Sequence, residues 1–321
     1  MYNNVRENGN MKFLWNEFMR WHCERYNRNR AKGLVTFDTL EFPIRWDRST
    51  PLLQHLFYVY KYYVEELREF AKSNVSINEV ESICNTILRS YYSALHWRTE
   101  DAIKIVTEDA NINEIMENCK VTIPANLDLY RLRANMANLL VKNDFMHIPF
   151  DKIYLCSSAR FSMYGEPCLY LGYSKDVCYK ELGVESGGSM GHFKTKEELT
   201  VVDLTLDKLN NKNVNIFLMW PILAACYVTA DNRDANFKEE YIFPQVMMHY
   251  IKSEIDCKGV RYYTCRYPEL DITSDAYMNI ALFARTNENS DNNEIDISKD
   301  FPSLFSSPYD MVLSGKLDFI V

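Results

Sequence analysis

The spacing of apolar residues changes near residue 120, and this change limits the folds open to the chain more than any other feature. Before it, apolar side chains recur at steps of three and four residues, which predicts helices over about 11–30 and 51–71 and another from Ser76 onward. After it, short runs of β-forming residues alternate with helical segments. A chain of 321 residues is long enough for two domains. We therefore expect an α+β protein with an α-helical N-terminal region over 1–120 and a second domain over 121–321.

The two long helices of the N-terminal region are expected to pack as a helical hairpin. Pro51 suits the first turn of one helix, and Ser76-x-x-Glu79 has the pattern of a capping box at the start of the next. Residues 1–33 carry seven basic and three acidic side chains. A solvated helix face is the simpler explanation of this charge run, and contact with nucleic acid is the alternative.

The second domain is predicted to contain short strands with two helices between them. The segment GGSMGHFKT lacks a complete phosphate-binding loop pattern and is expected to be a flexible loop. The acidic segment 286–300 reads as an exposed loop, and the final MVLSGKLDFIV as one strand or a strand pair. The strands are expected over 127–133, 152–156, 169–173 and 199–206, and the helices over about 175–182 and 238–253.

Composition and charge argue against several classes of protein. Lys and Arg number 36 against 44 Asp and Glu, a net charge of −8, so nucleic acid is not expected as a partner, although a local basic site stays open. The start lacks the apolar core of a signal peptide, and the longest apolar run, 216–228, is too short to span a bilayer. Nine cysteines without a C-x-x-C pair, and six histidines without an H-x-x-x-H pair, favour reduced thiols and no metal site. We expect a cytoplasmic protein without a membrane anchor.

A carboxylate stands where an apolar residue would be expected in the predicted helix 175–182. With Ser174 as its N-cap, Val177 and Cys178 lie on its apolar face, and the spacing puts Glu181 on the same face. A buried carboxylate needs cations or hydrogen-bond donors. It is therefore either paired or in water on a surface helix, and the cations nearest in sequence are Arg131, Arg133 and Arg160.

Several short motifs between about 125 and 285 resemble, in their order, the RES domain, which is named for its Arg, Glu and Ser. They are LYRLR, HIPF, ARF, GEPCLYLGYS, CYKELG, EYIFPQ, GVRYYTCR and NIALF. Many RES proteins are NAD+-consuming toxins of bacterial toxin–antitoxin pairs. The resemblance implies an ADP-ribosyltransferase-like fold in which a cleft between small mixed sheets holds NAD+. The N-terminal 120 residues lie outside it.

The same resemblance implies the site residues. Arg131, Arg160 and Glu181 would be catalytic, whereas Tyr130, Tyr170 and Thr264 would bind NAD+. Thr264 stands where the family has its serine and keeps a hydroxyl. Cleaving the nicotinamide–ribose bond leaves a cationic sugar, which the carboxylate would stabilise while guanidinium groups hold the diphosphate.

Three functions stay open at this point. The first is an NAD+ glycohydrolase or NAD+ phosphorylase, a toxin or defence protein that needs no cofactor beyond NAD+ as substrate, with inorganic phosphate as the co-substrate in the second case. The second is an ADP-ribosyltransferase acting on a macromolecule, and the third a catalytically silent binding or regulatory module. For a toxin, the resemblance implies a protein antitoxin or regulator as partner.

Overall fold

The structure, a computed structural model, describes residues 4–31, 40–70, 75–133, 142–184, 188–205, 214–230, 235–266, 274–285 and 301–305. The helices are α1 Asn4–Ala31, α2 Leu52–Phe70, α3 Ile77–Leu95, α4 Thr99–Thr107, α5 Ala110–Asn118, α6 Lys175–Leu182, α7 Ile216–Cys226, α8 Ile242–Glu254 and α9 Phe301–Leu304. The strands are β1 Ile44–Trp46, β2 Lys120–Ile123, β3 Asp128–Arg133, β4 Cys168–Gly172, β5 Ser189–Lys194, β6 Leu199–Asp203, β7 Val228–Ala230, β8 Gly259–Tyr263 and β9 Met278–Phe283. The mixture of helix and sheet confirms the α+β class.

The chain forms two compact units. The first comprises Met1–Cys119 with Leu209–Tyr250, and the second Lys120–Lys208 with Ile251–Val321. Residues 209–250, which the sequence pattern placed in the second domain, thus cluster with the N-terminal helices. The reason is α7, whose residues are all buried. A helix that is apolar on every side must be surrounded by other elements, and in the first unit α3 and α5 pack against it.

A proline in the middle of α7 is accommodated by two tyrosines of α2. Pro221 has no N–H to donate to Phe217 O, four residues earlier. The Tyr63 hydroxyl donates to that carbonyl at 3.0 Å, and Tyr60 donates to Pro221 O at 2.8 Å. The Tyr63 ring also stacks on Trp220, with centroids 4.1 Å apart. These contacts fix α2 against the buried helix.

The predicted hairpin of α2 and α3 is confirmed, because the two helices are consecutive and pack together. The predicted capping box is not. Ser76 occupies the N-cap of α3 with extended backbone, but its side chain makes no capping hydrogen bond.

In α1, Arg25 pairs with Glu66 and Glu69 of α2 at 3.2 and 3.3 Å, so part of the basic run is neutralised within the first unit.

The second unit is built on one mixed sheet with the strand order β2-β6-β8-β9-β4-β3-β5. A single seven-stranded sheet differs from the small mixed sheets that we expected. The pairing is uneven, however: β3 pairs with β5 at six positions but with β4 only at Tyr130–Gly172. The sheet therefore consists of a five-stranded and a two-stranded block that separate beyond this pair.

The two faces of this sheet have different roles. One face carries the main apolar core, to which Leu129, Phe193 and Ile280 contribute, and which Phe301 and Leu304 of α9 join. On the other face, Leu132 and Met190 pack against Val177 and Cys178 of α6. Residues along a strand alternate between faces, and this alternation places α6 on one side of the sheet.

Two of the predicted elements are wrong. Of residues 152–156, predicted as a strand, all but Cys156 lie in a 3₁₀ helix, Phe150–Leu155, that begins after Pro149. Its Ile153, Tyr154 and Leu155 are exposed, so this β-forming run pairs with no strand.

The second correction concerns GGSMGHFKT, predicted as a loop, which contains strand β5. Gly191 of this strand pairs with Arg131, and a Cβ on it would lie 2.5 Å from the Phe145 ring. The glycine thus allows an aromatic ring to approach the strand closely. The segments 286–300 and 311–321, for which we predicted a loop and a terminal strand, lie outside the described residues.

Candidate functional site

Helix α6 is fixed at both ends, as the sequence predicts for its start. The Ser174 hydroxyl accepts the N–H of Val177 at 3.1 Å and donates to Ala276 O at 2.6 Å. Gly183 ends the helix with φ of 68°, the left-handed conformation that glycine adopts at helix C-termini. The helix also approaches the sheet closely, because a Cβ on Gly172 would lie 2.5 Å from Val177 Cγ1. The position of the last turn, which carries Glu181, is therefore well defined.

Glu181 has partners on two other segments. Asn279 Nδ2 of β9 donates to Glu181 Oε1 at 2.9 Å. Arg266 Nε lies 3.7 Å from Glu181 Oε2. The Glu181 side chain is 33% exposed, so the carboxylate is held by the protein while one side stays open to solvent.

The cation beside this carboxylate is not one of those nearest in sequence. Arg266 takes that position. Arg133 instead donates to two backbone carbonyls, Asp144 O at 2.7 Å and Met146 O at 3.0 Å. The idea that Arg133 pairs with Glu181 is therefore wrong.

Three of the predicted site residues act electrostatically on the buried phenol of Tyr262. Burial raises the pKa of Tyr262 well above its usual range, Glu181 and Tyr170 raise it further, and Arg160 opposes them. Cys265 has a similar environment, since burial and Glu181 raise the pKa of its thiol while Arg160 and Arg266 lower it. Glu181, Arg160 and Tyr170 thus lie within electrostatic range of one side chain.

Tyr170 shapes the turn that carries Arg160. Its hydroxyl donates to Ser162 Oγ at 3.0 Å and accepts the N–H of Phe161 at 3.2 Å. The turn is closed by reciprocal backbone hydrogen bonds between Ala159 and Ser162 at 2.9 and 3.2 Å. Tyr170 is therefore placed to orient the backbone next to Arg160, and its predicted contact with NAD+ stays a prediction.

Thr264 is connected to Glu181 through Arg266. The threonine is fully buried, and its hydroxyl oxygen accepts the N–H of Arg266 at 3.1 Å. Its own N–H donates to Tyr277 O at 3.0 Å. The Thr264 hydroxyl thus fixes the backbone of Arg266, whose side chain pairs with Glu181; that Thr264 replaces a RES-family serine stays a prediction.

One nitrogen of the partly buried Arg131 guanidinium lacks a hydrogen-bond partner in the described part of the chain. Its Nη1 atom is buried there without a hydrogen bond. Burial and the nearby Arg133 lower the pKa of Arg131 to about 9, although Cys168, Cys178 and Tyr170 act in the opposite direction. The residue is cationic at neutral pH, and a buried cation is costly without a counter-charge. A phosphate or diphosphate oxygen would supply that charge and the missing acceptor.

Tyr130 lies at the other end of α6. Its ring stacks on His192 with centroids 5.2 Å apart, and the ammonium of Lys175 is 5.7 Å from the ring centroid. Neighbouring strand residues alternate between faces, so Tyr130 and Arg131 leave β3 in opposite directions, but Cys178 of α6 and Tyr170 of β4 still act electrostatically on the Arg131 guanidinium. The structure thus brings Tyr130 to the start of the helix and Glu181 to its end.

Sequence reasoning missed three side chains of this cluster. Asn279 and Tyr262 are cross-strand partners, and Arg266 follows directly after the matched Thr264 and Cys265. Asn279 could have been found, because a lone polar residue in the apolar run MNIALF must find a hydrogen-bond partner when buried. No sequence pattern predicts that the Arg266 side chain pairs with Glu181.

The described residues show neither a membrane-spanning helix nor a metal-binding cluster. In these ranges no helix is long and apolar enough to cross a membrane. Nor do the described side chains contain a group of three or more His, Cys, Asp or Glu residues that could hold a metal ion.

Comparisons with known proteins give one relative and one similar structure. No protein-family model matches the chain. The chain is 26% identical over 288 residues to YopC of Bacillus subtilis (strain 168), which is provisionally described as a toxin. The match covers 79% of this chain and 65% of YopC, so the chain spans less than two thirds of that relative's length.

Among solved structures, the chain is similar to one in the crystal structure of the M. tuberculosis MbcT–MbcA toxin–antitoxin complex. The TM-score is 0.32 with 12% identity, over 54% of this chain and 82% of the other. A score of this size carries no argument about function, and membership of the RES family stays a prediction.

Proposed function

We propose that the second unit binds NAD+ and breaks the bond between nicotinamide and ribose, and that the chain acts as a toxin through loss of NAD+. The observation that carries this proposal is the arrangement around Glu181. Its carboxylate is oriented by Asn279 and Arg266 and is one-third exposed, and both this carboxylate and Arg160 act electrostatically on the Tyr262 phenol. It can therefore meet a positively charged sugar without first being freed from a buried ion pair.

The reaction explains why a carboxylate is needed. When the glycosidic bond breaks, the electron pair leaves with nicotinamide, which departs as a neutral base, and positive charge develops at the ribose. The anionic Glu181 stabilises this charge at the anomeric carbon. A water or phosphate oxygen then forms the new bond to that carbon, and the proton of the attacking group passes to solvent.

The arginines supply the opposite charge. The unsatisfied Nη1 of Arg131 fits an oxygen of the NAD+ diphosphate, and Arg160 carries a second guanidinium on the turn organised by Tyr170. Guanidinium groups recognise phosphate oxygens through paired hydrogen bonds. In this proposal both arginines position the substrate, while Glu181 acts on the reacting carbon.

The toxin role is supported by the similarity to YopC and by the harm that unrestrained NAD+ loss would cause. Such an enzyme needs a neutralising partner in the cell that makes it. We therefore propose a protein antitoxin or regulator as a binding partner.

The test is incubation of the purified full chain with NAD+, with and without inorganic phosphate, while nicotinamide and sugar products are followed. Nicotinamide with free ADP-ribose indicates hydrolysis, and a phosphorylated product that requires phosphate indicates phosphorolysis. Both outcomes support the proposal. If nicotinamide release requires an added protein or nucleic acid that becomes labelled, the chain is a transferase. If folded protein releases no nicotinamide, the chain is a binding module, and the proposal is overturned.

A further inference from the structure

The first unit contains an open, largely apolar groove between α2, α3 and α4, with a volume of about 750 Å³. We call it the α2–α4 groove. Helix α3 packs against α2 and α4, so the outer side of α3 contributes to the groove. Its apolar lining consists of Leu53, Phe57 and Tyr58 of α2, Leu88 and Tyr92 of α3, and Ile105 of α4.

The aromatic side chains of this groove are unusually exposed. Phe57 is 51%, Tyr92 46% and Tyr58 37% exposed. Single exposed apolar residues need no explanation, whereas a contiguous set marks a surface that is covered by a partner. Aromatic residues and arginine also dominate the energy of protein interfaces.

Two of the rings are already held in place. Gln54 Nε2 donates to the Tyr58 hydroxyl at 3.2 Å. The Tyr92 ring lies 4.2 Å from the ring of His96, one helical turn later. Binding of a partner would therefore cost little side-chain entropy at Tyr58 and Tyr92, and such preorganisation favours binding.

The charge around the groove identifies the kind of partner. Arg89 and Arg98 contribute to its lining, which includes no carboxylate among the described residues. Arg98 is only loosely paired, 3.9 Å from Asp101. This is a local basic pair on a chain with a net charge of −8. The lining is therefore complementary to an apolar surface flanked by acidic residues.

A second copy of this chain fits this surface less well. In a symmetric dimer the same patch faces itself, which would bring Arg89 and Arg98 of one copy toward the same arginines of the other. The shape also suits a helix. The lining runs from Leu53 to Tyr58 on α2, about 8 Å at 1.5 Å per residue, and a docked helix would present two or three apolar side chains over that distance.

We propose that the α2–α4 groove binds an amphipathic helix of another protein, with apolar side chains at spacings of three and four residues and carboxylates beside them. Phe57 and Tyr92 are the apolar anchors, and Arg89 and Arg98 select the acidic flanks. The groove lies in the first unit, so this proposal does not depend on NAD+ cleavage or on whether the second unit is an enzyme.

The probe is a pair of designed fluorescent peptides of about 18 residues, long enough for five turns. Both carry leucines along one face, and the leucines are flanked by glutamates in one peptide and by lysines in the other. Fluorescence anisotropy with the full chain measures both dissociation constants. We expect the acidic peptide to bind at least tenfold more tightly. Equal binding of the two peptides would overturn the proposal.

Three variants locate the binding. Phe57→Ser with Tyr92→Ser should weaken acidic-peptide binding at least tenfold, whereas Phe237→Ser, an aromatic residue with the same 51% exposure outside the groove, should leave it unchanged. Arg89→Glu with Arg98→Glu should reverse the preference toward the basic peptide, a gain that a misfolded protein could not show. Failure of this reversal contradicts the proposal. Concentration-dependent dimers that Phe57→Ser with Tyr92→Ser abolishes would identify a second copy as the occupant and would also contradict it.

Discussion

Asn279 on β9 donates a hydrogen bond from Nδ2 to Glu181 Oε1 at 2.9 Å, and this contact ties the last turn of α6 to the central sheet. The amide can donate to a carboxylate but does not neutralise it. A donor of this kind fixes the direction of the carboxylate. The pair therefore provides an oriented negative charge that Arg266 only partly balances at 3.7 Å.

Replacing Glu181 with Gln tests the role of this charge. Glutamine keeps the size and can still bond to Asn279 after its amide rotates, but it cannot stabilise a cationic sugar. We expect kcat for nicotinamide release to fall by about 10²- to 10³-fold, while the dissociation constant for NAD+ from calorimetry changes by no more than about threefold.

The matched control is Glu197→Gln, which removes an exposed carboxylate of the same unit. It should keep the wild-type rate. An unchanged kcat in Glu181→Gln would show that the carboxylate has only a structural role.

Replacing Asn279 with Asp tests whether the Asn279 amide positions the Glu181 carboxylate. A second carboxylate beside Glu181 favours the protonated form of the pair, and protonated Glu181 cannot stabilise the sugar cation. The acidic limb of the profile of kcat/KM against pH should therefore move to higher pH.

Asn279→Ala serves as the comparison, because it removes the donor without adding charge. It should lower kcat with a smaller movement of the acidic limb. Identical pH profiles for the wild type and the Asp variant would mean that Asn279 does not act through Glu181.

Arg131 should be more important for anion binding than for stability. Its Nη1 is buried without a partner in the described structure, and burial together with Arg133 lowers its pKa to about 9, so the charge is present but uncompensated at pH 7. Replacing a poorly compensated buried charge with an apolar side chain of similar size is often neutral or stabilising. Arg131→Met should keep or raise the free energy of unfolding while NAD+ binding weakens at least tenfold.

Thermal unfolding with inorganic pyrophosphate distinguishes the effect of Arg131→Met on anion binding from its effect on the free energy of unfolding. Pyrophosphate should raise the Tm of the wild type, because a ligand that binds only the folded state stabilises it, and should leave the Tm of Arg131→Met unchanged. An equal rise in both proteins would place the anion elsewhere.

The sequence predicted the structure best where the local spacing of apolar residues and a capping residue define a helix. The helix α2 and the start of α6 at Ser174 follow from local spacing and capping, so both were predictable. Strand β5 was not, because its glycines suggest a loop until the ring of Phe145 is seen to fill the space above Gly191. The cation beside Glu181 was missed for a similar reason, since Arg266 reaches it from a segment 85 positions later in the sequence, whereas chain proximity pointed to Arg131, Arg133 and Arg160.

Gly172 links the sheet to the site, and its substitution should reduce activity without touching a functional group. A Cβ at this position would lie 2.5 Å from Val177 Cγ1 and 2.8 Å from Cys178 Sγ. Both atoms belong to the buried face of α6, so Gly172→Ala must push the helix away from the strand and lengthen the contact between Asn279 and Glu181. We expect kcat to fall at least tenfold in a variant whose circular dichroism spectrum stays native. Adding Val177→Ala makes room for the methyl group and should recover part of the lost rate. Wild-type turnover in Gly172→Ala, or no recovery in a folded double variant, would show that the spacing between α6 and β4 does not control the carboxylate.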